Sequence, residues 1–153
     1  MRVWRVCKRR HTAFDGQGAR MAGGRWNHPG TAIVYTYETL SLATLELFVQ
    51  LGRDDVPDDM VVVSAEIPPG LGQVKLQIDA PQRDWRLYPS PTDVCNVGTR
   101  WVADRMSAVL VVPSAVIPGE RAYLLNPAHP AFREIHVYPP EPFELRSSPR
   151  RTL

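Results

Sequence analysis

The sequence predicts a single domain of the α+β class with a mixed or antiparallel sheet. Its stretches follow the order short strand, loop, strand, helix, strands, helix, strands. Few helices separate the later strands, whereas a doubly wound sheet alternates strand and helix. The 153 residues are enough for one hydrophobic core, and no internal repeat or linker divides them.

The composition is typical of a soluble globular protein, with 44% hydrophobic and 22% charged residues. No apolar run approaches the ~20 residues that span a bilayer. The N-terminal stretch carries charges where a signal peptide has its apolar segment, so we expect a cytoplasmic protein. The net charge of +2 is too small to indicate nucleic-acid binding. Cys7 and Cys95 lie in no cluster and are expected to be buried free thiols.

The first half of the chain predicts two strands, a loop and a helix. A short strand is expected around residues 3–6, and the glycine-rich stretch 14–30 predicts a structured loop. Residues 31–36 (TAIVYT) have the β-branched and aromatic content of a buried strand. A helix follows, capped by Thr39 or Ser41 and ended by Gly52. It is apolar nearly all round, which predicts a central position in the fold.

The second half predicts four more strands and one helix. The strands are expected at 60–67, 74–78, 108–112 and 132–138, and the helix at 92–106. The stretch between the last two strands is rich in turn-forming residues. Residues 141–153 predict a flexible C-terminal tail, which leaves 1–140 as the folded domain.

The stretch 23–46 (GGRWNHPGTAIVYTYETLSLATLE) holds three of the candidate site residues, Arg25, Tyr35 and Glu46. Arg25 follows two glycines, so backbone N–H groups and the guanidinium can converge on one anion. Arg20 is a second candidate of this kind. The stretch contains neither a Walker loop nor a dinucleotide-binding glycine pattern. The alternative is a loop arginine that pairs with a nearby aspartate.

Glu46 lies on the apolar surface of the predicted helix. Burying an ionised carboxylate is costly unless it is paired, hydrogen-bonded or protonated. Glu46 therefore either forms a structural ion pair with Arg25 or lines a pocket. In a pocket it can stabilise a cationic transition state or position a hydroxyl group.

Tyr35 and Ser114 are weaker candidates by themselves. Tyr35 falls in a buried strand, where a core aromatic with a satisfied hydroxyl is the ordinary role. Tyr37 points to the same face by strand alternation, so the sequence does not decide which tyrosine faces a ligand. Ser114 follows a buried strand without a G-x-S-x-G motif, which argues against a Ser-His-Asp hydrolase. The four histidines lack metal-ligand spacing, so no metal is expected.

Two segments together closely resemble the RES-domain family, the toxin components of bacterial type II toxin–antitoxin systems. They are GQGARMAGGRWNHPGTAIVYTYETLSLATLE and VPSAVIPGERAYLLNP, and the resemblance extends from about residue 4 to residue 138. On the family pattern, the site residues are Arg25, Tyr35, Glu46 and Ser114. Asn126 stands in the family's Asn-Pro motif as a supporting residue.

The resemblance implies an ADP-ribosyltransferase-like α+β fold and a toxin that cleaves the nicotinamide–ribose bond of NAD+. Cleavage by hydrolysis or phosphorolysis would deplete cellular NAD+ and arrest growth. NAD+ is then the substrate, no cofactor is expected, and inorganic phosphate is a candidate co-substrate. The implied partner is an Xre-type helix-turn-helix antitoxin in a hetero-oligomer, which contacts DNA only through the antitoxin and involves no membrane.

The same resemblance suggests a role for each residue. Glu46 would stabilise the oxocarbenium-like state that forms when nicotinamide leaves. Arg25 would clamp the pyrophosphate. Tyr35 would stack on the nicotinamide or ribose, or donate its hydroxyl. Ser114 would bind a phosphate or orient Glu46. Further substrate-binding candidates are Arg20 and Asn126.

Two other functions remain open at this stage. One is mono-ADP-ribosylation of a cellular protein, which breaks the same bond and differs only in the acceptor. The other is a non-catalytic module in which Arg25 and the basic clusters hold a phosphate or a nucleic acid. The small net charge and the lack of a helix-turn-helix pattern weigh against this second alternative.

Overall fold

A computed structural model gives the fold and describes residues 1–52, 55–78 and 84–145. Within these ranges one sheet is accompanied by three α-helices and two short 3-10 helices. The strands are β1 (Arg2–Lys8), β2 (Val34–Tyr37), β3 (Met60–Glu66), β4 (Gln73–Lys75), β5 (Val109–Pro113), β6 (Arg121–Leu125), β7 (His136–Val137) and β8 (Glu141–Pro142). The α-helices are α1 (Gln17–Ala22), α2 (Leu40–Leu51) and α3 (Thr92–Ala103), and the 3-10 helices are Arg9–His11 and Pro130–Glu134.

The strands follow the order β4-β5-β6-β2-β1-β3-β7, and β8 pairs with β3. The β4–β5 pair is parallel, and the other described pairs are antiparallel. The predicted α+β class with a mixed sheet is therefore confirmed. Strand β2 lies at the centre of the order, between β6 and β1, so its side chains project from the middle of the sheet.

The two faces of the sheet have separate apolar cores. Helices α2 and α3 pack on one face, where Leu42 and Trp101 join Tyr37 in a buried cluster. The other face buries Val3, Val34, Val109 and Leu125, among others, under partly buried residues such as Phe14 and Phe132. Since side chains alternate along a strand, β2 directs Tyr35 and Tyr37 to the helical face.

Helix α2 begins and ends at the residues that the sequence predicts. The Thr39 hydroxyl accepts the Leu42 N–H at 3.0 Å, and Gly52 closes the helix with a φ of 81°. The prediction that α2 lies at the centre of the fold is wrong in one respect. Its outer side is exposed to solvent, with Leu45 41% and Val49 66% exposed. None of the helices in the described part of the chain has the length and apolarity to cross a membrane.

Three segments differ from the sequence prediction. Strand β6 forms in a stretch predicted as turns, because pairing with β2 and β5 holds it in the sheet. The predicted strand 132–138 is a 3-10 helix followed by the two residues of β7. The His129 ring caps that helix by accepting the Ala131 N–H at 3.1 Å. Helix α1 lies inside the predicted glycine-rich loop.

The predicted tail, 141–153, begins within the sheet. Its first two residues form β8 and pair with Val61 and Val62 of β3. Residues 146–153 lie outside the described part of the chain. The sheet therefore extends past the predicted domain boundary at residue 140.

Candidate active site

Glu46 on α2 faces Ser114, which follows β5. The Ser114 hydroxyl donates to Oε1 of Glu46 at 3.1 Å. Its oxygen accepts the backbone N–H groups of Val116 and Ile117 at 3.1 and 3.0 Å. Because these two donors use the lone pairs, the single hydroxyl hydrogen is left for Glu46. Ser114 is thus both the turn residue and the group that orients the carboxylate.

The Glu46 side chain is only half-buried, yet its surroundings change its ionisation. Desolvation raises the pKa of the Glu46 carboxyl above its ordinary value. The Ser114 hydrogen bond and the charge of Arg25 act in the opposite direction and offset part of this effect. The site thus holds a carboxylate whose charge is not fully compensated, as a group that stabilises a transient cation requires.

Arg25 is held by neutral carbonyl groups. Its Nη1 donates to the backbone oxygens of Trp85 and Leu87 at 3.1 and 3.0 Å. Among the described residues, no carboxylate lies within ion-pair distance of this guanidinium. The alternatives of a structural ion pair with Glu46 or with an aspartate therefore find no match among the described residues. There the guanidinium is bound by neutral carbonyls, which leave its charge for an anionic ligand.

The turn that carries Arg25 is locked by Asn27, which is 1% exposed. The Asn27 Nδ2 donates at 3.0–3.1 Å to three backbone oxygens, those of Ala19, His28 and Thr31. Its Oδ1 accepts the Tyr35 hydroxyl at 2.6 Å. That hydroxyl in turn accepts the Trp26 N–H at 3.1 Å. Side-chain hydrogen bonds thus hold the turn to the end of α1 and to the centre of the sheet.

The hydroxyl of Tyr35 is occupied by these contacts. Burial strongly raises the pKa of Tyr35, so it stays protonated and donates to Asn27. Gly24 packs directly against the ring, because a Cβ there would lie 2.5 Å from the Tyr35 oxygen. The predicted donation of this hydroxyl to a ligand therefore does not match the structure. Tyr35 supports the turn instead.

Tyr37 also faces the site and is electrostatically coupled to Glu46. Burial is the main cause that raises the pKa of Tyr37, and the Glu46 charge raises it further. The Arg25 charge acts on both tyrosines and opposes the rise in the pKa of each hydroxyl. Both side chains lie on the helical face of the sheet, with Tyr35 bonded to the Arg25 turn and Tyr37 within the influence of the Glu46 charge.

A sequence model of the RES domain matches residues 2–146 of the chain. The chain belongs to the RES domain family. Two relatives support this assignment. "Toxin Res" of Yersinia enterocolitica serotype O:8 / biotype 1B is 35% identical over 135 residues, which cover 87% of this chain and 88% of that protein. "Prs ADP-ribosylating toxin" of Sphingobium sp. (strain YBL2) is 34% identical over 134 residues, which cover 83% of each.

A solved structure has a similar fold. It is a chain in the crystal structure of the M. tuberculosis MbcT–MbcA toxin–antitoxin complex, with a TM-score of 0.69 and 16% sequence identity. The match covers 91% of this chain and 81% of that chain. At this identity the likeness concerns the fold, and it confirms the predicted ADP-ribosyltransferase-like architecture.

Two predicted site residues of this RES domain form their side-chain hydrogen bonds with residues other than Glu46. Arg20 is exposed on α1, and its Nη1 donates to the Gln17 side chain at 3.1 Å. Asn126 is fully buried after β6, six positions beyond Glu120, the residue that accepts the Ser114 N–H. The sheet register thus places Asn126 at the opposite end of β6 from the Glu46 cluster. Its Oδ1 caps a turn by accepting the Ala128 N–H at 3.0 Å.

Sequence reasoning missed Asn27 and the carbonyls that hold Arg25. Asn27 follows a glycine-rich turn, where asparagine commonly bonds to nearby backbone, so its position carried a signal. Trp85 and Leu87 lie about 60 residues further along the chain and act through their backbone, so no side-chain pattern could reveal them. Among the described residues, no group of three or more His, Cys, Asp or Glu side chains is placed to hold a metal ion.

Proposed function

We propose that this RES domain is the toxin of a type II toxin–antitoxin system and cleaves the nicotinamide–ribose bond of NAD+. The observation that carries the proposal is the pairing of a partly desolvated carboxylate, Glu46, with a nearby cation, Arg25, that carbonyls hold outside ion-pair distance. NAD+ brings a ribose that becomes positive and a pyrophosphate that is negative. It therefore complements both groups at once.

The reaction breaks the bond between nicotinamide and the anomeric carbon of its ribose. The bonding electron pair leaves with nicotinamide, which becomes neutral, and positive charge develops on the ribose. Glu46 stabilises this oxocarbenium-like state, and partial desolvation strengthens the interaction. Water then adds to the anomeric carbon and releases a proton, which yields ADP-ribose. With inorganic phosphate as the acceptor, a phosphate oxygen adds to the same carbon.

The other site residues have roles in this reaction that follow from their hydrogen bonds. Arg25 binds the pyrophosphate with the N–H groups other than Nη1. Ser114 orients Glu46 through its hydroxyl hydrogen. Tyr35 acts through the turn, by holding Trp26 and Asn27 in place beside Arg25. Tyr35 is thus a positioning residue in this proposal.

The proposed partner is an Xre-type helix-turn-helix antitoxin that blocks the site and binds DNA for the complex. Support comes from the relatives named "Toxin Res" and from the fold neighbour, which was solved as a toxin–antitoxin complex. Expression without the antitoxin is then expected to lower cytoplasmic NAD+ and stop growth. Growth arrest with an unchanged NAD+ content would contradict depletion as the cause.

The direct test is product analysis of NAD+ incubated with the purified protein, with and without inorganic phosphate. We expect release of nicotinamide, with ADP-ribose or its phosphorylated form as the second product. Glu46→Gln should lower turnover about 100-fold or more, the scale on which single stabilising groups act. Glu134→Gln, which changes an exposed carboxylate on the 3-10 helix Pro130–Glu134, is the matched control. A folded wild-type protein that leaves NAD+ intact would contradict the proposal.

A second candidate function is ADP-ribosylation of a cellular protein. It is favoured by one observation, the name of the Sphingobium relative, "Prs ADP-ribosylating toxin". The bond that breaks is the same, and a protein side chain replaces water as the acceptor. Incubation of the protein with labelled NAD+ and cell lysate separates the two functions, since only this one places label on a protein band.

A further inference from the structure

A cleft of about 490 Å³ opens beside the Arg25 turn, between α3 and the segment that follows β4. Among the described residues its walls are mainly apolar, formed chiefly by Trp26, Leu76, Ile78, Trp85, Val94 and Val97. A volume of this size and an apolar lining with few polar groups are typical of small-molecule sites. Neither Glu46 nor Ser114 lines this cleft.

Two tryptophans give the cleft its aromatic character. The ring centroids of Trp26 and Trp85 lie 5.6 Å apart, with an interplanar angle of 36°. Trp26 is 3% exposed and forms part of the floor, whereas Trp85 is half-exposed and belongs to the wall. Aromatic side chains accessible in a groove are the usual partners of nucleobases, which stack on them.

Arg25 connects this cleft to the carboxylate. Its Nη1 is bound by the carbonyls of Trp85 and Leu87, and both of these residues line the cleft. Its charge also acts on Glu46. The guanidinium is therefore bound to the cleft wall, and its charge acts on the carboxylate from there.

We propose that the cleft binds the adenosine half of NAD+. This inference rests on the proposed function, which places the reacting ribose at Glu46 and the pyrophosphate at Arg25. Because the pyrophosphate joins two nucleosides, and because the cleft adjoins Arg25 but does not include Glu46, the second nucleoside can enter the cleft from Arg25. The apolar walls suit the purine ring, and Gln77 and Asp84, which also line the cleft, offer hydrogen bonds to the amino group or the ribose hydroxyls.

The test compares substrates with and without the adenosine half. Trp85→Ala removes the indole but keeps the backbone carbonyl that binds Arg25. We expect the KM for NAD+ to rise about tenfold or more. The KM for nicotinamide mononucleotide, which lacks adenosine, should rise much less, and the ratio of the two changes is the readout. The matched control is Tyr88→Ala, an aromatic of the same segment that is 90% exposed and does not line the cleft.

A binding measurement tests the cleft without catalysis. Titration calorimetry with AMP should detect binding to the wild type and to Tyr88→Ala, and at least tenfold weaker binding to Trp85→Ala. An equal rise of both KM values in Trp85→Ala, or AMP affinity unchanged by that substitution, would overturn the inference. If NAD+ is not cleaved, the proposed function fails, and the AMP titration still decides whether the cleft takes an adenine nucleotide.

Discussion

The carboxylate of Glu46 opposes folding at neutral pH while it serves the proposed chemistry. Half-burial raises the pKa of Glu46 above 4.5, so the folded protein binds the proton more tightly than the unfolded chain does. The stability that this residue contributes is therefore fully present below pH 4.5 and is lost as the pH rises through the higher folded-state pKa. A charged site group of this kind is an ordinary source of the stability–activity trade-off.

Glu46→Gln should separate these two effects. The glutamine keeps an oxygen for the Ser114 hydroxyl and carries no charge, so we expect the Tm at pH 7 to equal or exceed that of the wild type. The difference in Tm between the variant and the wild type should vanish below about pH 4.5, where the wild-type carboxyl is protonated. Scanning calorimetry between pH 4 and pH 8 measures this difference, with Glu134→Gln as a control. A lower Tm for Glu46→Gln at pH 7 would show that the carboxylate stabilises the fold.

For individual residues, the sequence predicts the members of the candidate site better than it predicts their contacts. Glu46 and Ser114 are both predicted site residues, and they meet although 68 residues separate them. The ion pair between Arg25 and Glu46 is a reasonable prediction from residue types, yet the carbonyls of a distant loop hold the guanidinium instead. Asn126 stands in a matching motif, but the register of β6 places it at the opposite end of that strand from Ser114.

Among the elements, α3 contacts the Arg25 turn through its own backbone. The Gly98 N–H donates to the Trp26 carbonyl at 2.9 Å, and a Cβ at Gly98 would lie 2.2 Å from that oxygen. One position later, the Thr99 hydroxyl accepts the His28 N–H at 3.0 Å. The turn therefore rests on the helix backbone itself, and only glycine fits at the contact.

Gly98→Ala should push α3 and the Trp26 turn apart. We expect the free energy of unfolding to fall by about 1–3 kcal/mol, as for other overpacked positions. We also expect the KM for NAD+ to rise because Arg25 is displaced. Gly18→Ala on α1 is the control, since its Cβ would meet no atom within 4 Å. Urea unfolding and steady-state kinetics measure both effects, and a Gly98→Ala protein as stable as Gly18→Ala would refute the close contact.

Elements with local signals are predictable, whereas those that depend on distant pairing are not. Helix α2 has its cap at Thr39 and its closing glycine at Gly52, and both ends are predicted. Strand β6 is short and lies between turn residues, so only its pairing with β2 and β5 makes it a strand. The error at 132–138 has a local cause, since His129 caps a 3-10 turn that begins at Pro130.

For the molecule as a whole, β8 covers part of an edge that would otherwise be open. It pairs with Val61 and Val62 of β3, next to the position where β7 pairs with the same strand. An unpaired β3 edge at these buried valines would offer N–H and C=O groups to another chain. The segment after residue 140 therefore contributes to the fold, although the sequence predicts a tail there.

Two truncations test this contribution. A chain ending at Pro140 lacks β8, and we expect a lower Tm and more self-association in light scattering. A chain ending at Leu145 keeps β8 and is the control, with a Tm close to that of the full-length protein. Equal stability of the two truncated chains would restore the boundary predicted at residue 140.

The fold class and the family are predictable at this scale because they depend on the whole order of elements and on motifs shared by two distant segments. The location of the cleft is not predictable. Its walls come from the Arg25 turn, from the residues after β4, from the segment around Trp85 and from α3, and no pattern within one of these segments implies the others.

The Arg25 turn is anchored to α1 through Asn27, to β2 through Tyr35 and to α3 through Gly98. Its geometry therefore exists only when all three elements are docked. Amide hydrogens in the turn should exchange with solvent through the same opening that undocks α3, not through local fraying. A chain still emerging from the ribosome, or one already nicked by a protease, consequently cannot assemble the anion-binding geometry. The proposed toxicity would begin only with the complete native domain.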